Sequence, residues 1–276
     1  MTKTADVTAL RASRTHCVQA LYDTWSPVFV QCAGTTHQTV LLPVGVTPQA
    51  TNLEMVRRAG FGGAQRLLDA GCGVCGPACD AANAVPGLRV DAVTLSPVQA
   101  ELAKQVIERQ RLTDRVCVHV ADYHQLPFAD QTFDALWLLE SACYSPRPAQ
   151  LLGELARVAA VGATLYIKDL FLAGGDFGPQ AVRDLQRLRH LWALPRLWPL
   201  ARWIRWVERA GWQVCDASVL QGANTDWYTG AMIEFGANGL QWNDFGRQFA
   251  VHTPAAPIEW CQLVARRSGP ARRAGR

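Results

Sequence analysis

Between residues 66 and 170 short apolar runs alternate with helical signals, and no other feature restricts the fold as tightly. The runs are RLLDA (66–70), VDAVTL (90–95), VCVHVA (116–121), DALWLL (134–139) and ATLYIKDL (163–170). Apolar runs of this length read as strands buried on both faces, and regular strand–helix alternation implies a parallel, doubly wound α/β sheet. The helical signals agree. Gly76-Pro77 opens a small-residue helix over 78–85. Ser96-Pro97 supplies a cap and a first-turn proline, with Gln99 three residues after the cap. Val98, Leu102 and Val106 then repeat on one face, as do Leu151, Leu152, Leu155 and Val158 over 148–160. No internal repeat interrupts the pattern.

Composition removes other classes. The chain has 276 residues, 49% hydrophobic and 18% charged, with a formal charge of +4, which is too apolar and too weakly charged for disorder. Its longest uncharged stretch, Thr24 to Leu53, is broken by Pro27, Pro43 and Pro48, so no spanning helix is expected. The first residues lack an apolar core of the signal-peptide kind, and the expectation is a cytoplasmic protein with its nine cysteines reduced. Cys72, Cys75 and Cys79 cluster, but they read as small residues inside a glycine loop, and no metal is expected. The Arg-rich end, 268–276, reads as a disordered basic tail.

In a doubly wound sheet the ligand sits beyond the carboxyl ends of the strands. After the first strand comes Asp69-Ala-Gly71-Cys72-Gly73-Val-Cys-Gly76. Glycines let the backbone approach a ligand closely, the following helix N-terminus favours negative charge, and Asp69 can fix an ammonium group. After the third strand come Asp122 and Tyr123. Asp122 can accept a hydrogen bond from an adenine amine.

These residues carry a family likeness. LLDAGCGVCG, VDAVTLSPVQAELAKQ, VADYHQLPFADQTFDALWLLES and ELARVAAVGATLYIKDL, across roughly residues 60–170, resemble the class I S-adenosylmethionine-dependent methyltransferases. The resemblance implies a seven-stranded sheet with an antiparallel last strand, S-adenosylmethionine as cofactor and S-adenosylhomocysteine as product. It places Asp69, Gly71, Cys72 and Gly73 at the methionine part, and Asp122 and Tyr123 at the adenine. The sequence departs from the usual pattern at the end of the second strand, where Thr94-Leu95 replaces an acid; Gln99 is then the candidate for the ribose. Asp91, at that strand's start, reads as structural.

TLSPVQ together with Leu139-Glu140-Ser141-Ala-Cys-Tyr144-Ser-Pro146 is similar to the sterol, tocopherol and prenyl-diphosphate carbon methyltransferases, and some sugar, amine and alkaloid enzymes share it. Tyr22-Asp23 and Cys32-Ala-Gly34-Thr-Thr-His37 loosely match their N-terminal cap. The resemblance implies that Tyr22 closes over the cofactor and that Glu140 either stabilises a cation formed on carbon or only hydrogen-bonds cap and cofactor. Tyr144 and His37 are further catalytic candidates. A small, largely apolar acceptor is expected, with carbon methylation favoured, and nitrogen or oxygen methylation or non-catalytic cofactor binding as alternatives. LESACYSP lacks the Asn/Asp-Pro-Pro-aromatic signature of nucleic-acid methyltransferases, so no nucleic-acid partner is expected; a homodimer is left open.

The remaining sequence reads as a cap and two last strands, 212–220 and 259–267, with helices over 177–210 and a lid over 221–258. Seven of the ten tryptophans lie between 192 and 242, and seven arginines between 183 and 209. Indole faces stabilise cations, so at least two tryptophans are expected in the acceptor pocket, with Trp25, Trp192 and Trp227 as substrate candidates. Arg183 and Arg187, one turn apart, are candidates for clamping an acidic group. RLWPLARWIRWV could also lie on a membrane surface. The expected divisions are a helical cap (1–55), a cofactor core (56–175), substrate-cap helices with the last strands (176–267) and the tail (268–276).

Overall fold

The computed structural model describes residues 3–36, 38–39, 47–220 and 256–269. Seven strands form one sheet: β1 (Arg66–Ala70), β2 (Arg89–Thr94), β3 (Val116–Val120), β4 (Phe133–Leu139), β5 (Ala159–Leu172), β6 (Trp212–Val219) and β7 (Ile258–Arg267). Their spatial order is β3-β2-β1-β4-β5-β7-β6, and β7 is antiparallel to both its neighbours. The order reverses between β1 and β4, which is where a doubly wound sheet opens a ligand crevice.

Two cores show why both faces are covered. Successive residues of a strand point to opposite faces. Leu67, Trp137 and Tyr166 therefore join one cluster, with Met55 and Phe61 before the sheet and Ala103 and Ile107 from α4 (Pro97–Arg109). Leu68, Leu136 and Leu165 join the other, with Leu151 and Leu155 from α5 (Pro148–Val158) and Trp203 and Val207 from α7 (Leu200–Arg209). Each fully buried leucine contributes about 1.5–3 kcal/mol.

The caps form as their sequences dictate. Ser96 accepts from the Gln99 N–H at 3.0 Å and Pro97 opens α4. The buried side of α4 is turned from the expected one: Gln99, Ala100, Ala103, Val106 and Ile107 are buried, and Val98 and Leu102 only half-buried. Small side chains let α4 approach the sheet, while the capping geometry directs Gln99 inward. The helical region over 177–210 divides into α6 (Pro179–Leu191) and α7, because Pro195 and Pro199 disfavour helix in the residues before them.

Two helices precede the sheet. α1 (Lys3–Ala33) crosses to α4, where Asp23 accepts from the Ser96 hydroxyl at 2.5 Å, and α2 (Pro48–Ala59) packs on α3 (Gly76–Ala84). No helix among the described residues is long and apolar enough to cross a membrane. The apolar side of α7 is taken up by the sheet through Trp203 and Val207, which leaves Arg202 over the rings of Trp198 and Trp206. The expected lid over 221–258 falls almost wholly, and the expected tail largely, outside the described residues.

Candidate active site

A cavity of about 820 Å³, counting its open mouth, lies at the carboxyl ends of β1, β2 and β4. It is built from four loops and the overlying α1. The β1 loop turns sharply: the N–H groups of Gly71 and Cys72 both donate to Val93 O, at 2.8 and 2.9 Å. Gly71 has φ +91°, and a Cβ there would sit 2.4 Å from Ser141 Cβ. Only glycine fits this position. Gly76 is as tight for another reason, since a Cβ would come within 2.2 Å of the Thr35 carbonyl oxygen, so the cap crosses the α3 N-terminus at backbone distance. Gly71→Ala is expected to abolish cofactor binding in isothermal calorimetry even where the protein still folds; unchanged affinity would show that the loop is not the cofactor cradle.

Asp69, the penultimate residue of β1, lines this cavity, 2% exposed, with Oδ2 lacking a hydrogen-bond partner. Burial pushes its carboxyl up to about 7, and the nearby Trp137 indole offsets part of the rise without reaching good hydrogen-bond geometry. An orphaned buried carboxyl is costly unless something pairs with it, so Asp69 is poised for a cationic donor.

At the end of β2, Thr94 donates to Gln99 Oε1 at 2.6 Å and its own oxygen accepts from Ser96 N at 3.1 Å. Thr94, Leu95 and Gln99 all line the cavity. Asp91 is structural, as read: it ties Arg66 of β1 to His119 of β3. After β3, Tyr123 lines the cavity and donates to Ser141 O at 3.1 Å. Asp122 lines a smaller cavity alongside, with Tyr123, Tyr144 and His124. Burial opposes its ionisation, but the ring and backbone N–H of His124 hold it below the usual carboxylate range.

Glu140 follows β4 at φ +54°, a conformation that costs a side chain about 1–2 kcal/mol. Its carboxylate accepts from Thr39 N at 2.6 Å and from Lys168 Nζ at 2.7 Å. Lys168 is fully buried, its pKa lowered by desolvation and supported by Glu140 and Asp169. The same Nζ reaches Gln38 Oε1 at 2.7 Å, Gln38 donates to Asn52, and Asn52 donates to Thr36 and to Asp80 of α3. One polar chain thus fastens Thr36, Gln38 and Thr39 of the cap to the core. Tyr22 of α1 donates to Tyr144 at 2.9 Å across the cavity wall, and burial raises the pKa of both phenols.

The structure thus gathers Tyr22, Asp69, Gly71, Cys72, Gly73, Thr94, Leu95, Gln99, Tyr123, Glu140 and Tyr144 around one cavity. His37 and Trp227 lie outside the described residues. Trp25 and Trp192 do not line the cavity; Trp192 packs on Phe29 at 6.2 Å between centroids. No described tryptophan lines this cavity or its neighbour, because Trp137, Trp203 and Trp212 are buried in the sheet packing. The expectation of an indole-lined acceptor pocket then rests on Trp227 and Trp242, which lie outside the described residues. Arg183 bonds Gln180 and Arg187 approaches Asp184 at 3.5 Å, both within α6, and neither reaches the cavity. Sequence reasoning missed Lys168, Gln38, Asn52 and Asp169; a lysine within an otherwise apolar strand was the available signal.

A doubly wound sheet with β7 antiparallel, a glycine cradle and a cavity at the switch point define a nucleoside-cofactor α/β protein. Residues 68–167 match the family model described as a methyltransferase domain. That segment of the chain is similar to methyltransferase domains. Over 134 residues the chain is 36% identical to "Probable tocopherol O-methyltransferase, chloroplastic" of Oryza sativa subsp. japonica, a match covering 47% of this chain and 37% of that one. The chain thus spans less than half the length of that relative. Among solved structures it resembles the [4+2]-cyclase SpnF, with a TM-score of 0.74, 22% identity and coverage of 92% and 96%. It likewise resembles a geranyl diphosphate C-methyltransferase from Streptomyces coelicolor A3(2), solved with Mg2+, geranyl-S-thiolodiphosphate and S-adenosyl-L-homocysteine. There the TM-score is 0.72, with 17% identity and coverage of 92% and 98%. At such identities the structural likeness establishes the fold.

The cavity fits S-adenosylmethionine, the cofactor that the methyltransferase likeness implies. The unpartnered Asp69 carboxyl suits its ammonium group, the Gly71 cradle admits close backbone contact, and the polar Thr94–Gln99 pair suits ribose hydroxyls.

Proposed function

We propose that this chain transfers a methyl group from S-adenosylmethionine to a small, largely apolar metabolite, with a carbon of an isoprenoid or natural-product acceptor favoured. Bound S-adenosylmethionine supplies an electrophilic methyl on a sulfonium. The chain positions it: Asp69 binds the ammonium, Gln99 and Thr94 the ribose, and Asp122 or Tyr123 the adenine. The Tyr22–Tyr144 pair, Gln38 and Thr39 cover the cavity and exclude water, which favours displacement between aligned partners.

The observation that carries the reading is Glu140, a carboxylate held in a strained backbone conformation in the cavity wall. Methylating an alkene carbon leaves a cation, and a fixed carboxylate stabilises it. The curated relative is named for a tocopherol, and a structural neighbour for geranyl diphosphate, which supports an isoprenoid acceptor. A second reading has its own observation. Both Glu140 oxygens are already engaged, by Thr39 and Lys168, which suits a role in holding the cap while oxygen or nitrogen is methylated.

Incubation with methyl-labelled cofactor and a panel of prenyl diphosphates, sterols, quinols and amines separates the readings. Label on carbon is expected. Label only on oxygen or nitrogen overturns the carbon assignment, and cofactor binding with no label on any acceptor favours a non-catalytic role.

A further inference from the structure

Away from the cavity, β2 and β3 bring three unlike metal-ligating side chains to one place. The parallel register sets Asp91 opposite Cys117 and Val93 opposite His119. The two-residue period of a strand puts Cys117 and His119 on the same side of β3, the edge strand. One Asp91 oxygen, the Cys117 sulfur and one His119 ring nitrogen all lie within 4.8 Å of one another. Asp91 Oδ1 and His119 Nε2 are 2.9 Å apart.

The ligands are fixed from behind. Arg66 holds the other Asp91 oxygen through Nε at 3.0 Å and a terminal nitrogen at 2.9 Å, which leaves Oδ1 aimed at the imidazole. The His119 ring stands edge-on to Phe128, with centroids 5.2 Å apart. Such outer contacts are what orient ligands in metal sites. Cys117 is exposed, so an ion can enter from solvent. Ligand atoms on a tetrahedral zinc, at about 2.0–2.3 Å from the metal, sit roughly 3.3–3.8 Å apart. The present spacing brackets that range, and small side-chain rotations close the site.

The geometry points to a three-ligand site for a borderline divalent metal of the zinc class, held by Asp91, Cys117 and His119, with water as fourth ligand. A thiolate, an imidazole and a carboxylate together select zinc or cobalt over magnesium or calcium. On binding, the Cys117 thiol releases its proton to solvent. His119 exchanges its ring proton from Nε2, where it is donated to Asp91, to Nδ1 through solvent, and the freed Nε2 lone pair turns to the metal. No electrons are exchanged. The ion would tie β2 to the edge strand, on the order of 10 Å along β2 from Thr94 at the cavity, so its role is to brace the sheet and not to act on the acceptor.

Untagged, full-length protein titrated with Co2+ tests this. One equivalent is expected to produce thiolate-to-cobalt charge-transfer absorption, which Zn2+ then bleaches by displacement. Cys117→Ser should abolish the band, Cys215→Ser, at another exposed cysteine, should leave it, and His119→Ala should weaken binding at least tenfold. Zn2+ should raise the melting temperature of the wild type but not of Cys117→Ser. The assignment is overturned if wild type shows no band while Cys117 reacts with a thiol reagent, or if the band survives in Cys117→Ser. Cys117→Ser should bind S-adenosylmethionine as wild type does, so failure here is distinguishable from failure of the cofactor site.

Discussion

Below about pH 7 the affinity for S-adenosylmethionine is expected to fall tenfold for each pH unit, and Asp69→Asn is expected to remove that dependence. Burial sets the unliganded Asp69 carboxyl near 7, so at pH 5 it is protonated and at pH 8 ionised. A cationic ammonium binds the ionised form, and binding must then displace the proton. At pH 8 the Asn variant should bind about 10–100-fold more weakly than wild type, the worth of a charge-assisted hydrogen bond; at pH 5 the two should converge. The same carboxyl affects stability with a definite sign. A raised folded-state pKa favours the folded, unliganded protein at low pH. That contribution is lost as pH rises from the ordinary carboxyl value of 3.8 through about 7, and Asp169 behaves alike. Saturating cofactor should cancel the share due to Asp69 alone. Calorimetry across pH 5 to 8 decides the matter, and an affinity that is flat in wild type would remove Asp69 from the ammonium site.

How far the sequence foretold this site follows from the range of the interactions involved. β1, β2, β4 and β5 were legible because burial leaves short apolar runs, β3 because it keeps such a run although it is the part-exposed edge strand, and the α4 start because Ser96, Pro97 and Gln99 carry a local capping code. Asp69, Gly71 and Gly73 were legible for the same reason: a tight turn after a buried strand restricts residue type locally. The Glu140 environment was not legible. Its partners, Thr39 and Lys168, lie 101 and 28 residues away, and nothing in the spacing pairs them. Asn52 meets Asp80 across 28 residues in the same way. The tryptophan crowding does not by itself place the indoles, because composition reports their number and not the side they face. Trp203 and Trp212 are consumed by packing on the sheet, and Trp198 and Trp206 by each other and by Arg202.

Lys168 is where stability and the proposed chemistry meet, and its substitution should show both. The ammonium is fully buried and the Glu140 side chain only 7% exposed, so removing either charge takes the ion-pair partner from a charge held away from water. Breaking a buried pair of this kind costs about 3–5 kcal/mol. Lys168→Met and Glu140→Gln should each destabilise by that order, while the double variant should recover more than half of the summed loss, because no uncompensated charge remains. The pH slope of Glu140→Gln should differ from that of wild type: burial already lowers the Lys168 pKa, and without Glu140 that shift deepens, so the deficit relative to wild type shrinks as pH rises from 5 to 8. Methyl transfer by Lys168→Met should fall further than its loss of stability accounts for, which a purely structural lysine would not produce. Denaturant melts of the four proteins at pH 5 and pH 8 check this. Additive losses with parallel slopes would mean that Lys168 and Glu140 act independently and that the lysine does not position the carboxylate in the cavity wall.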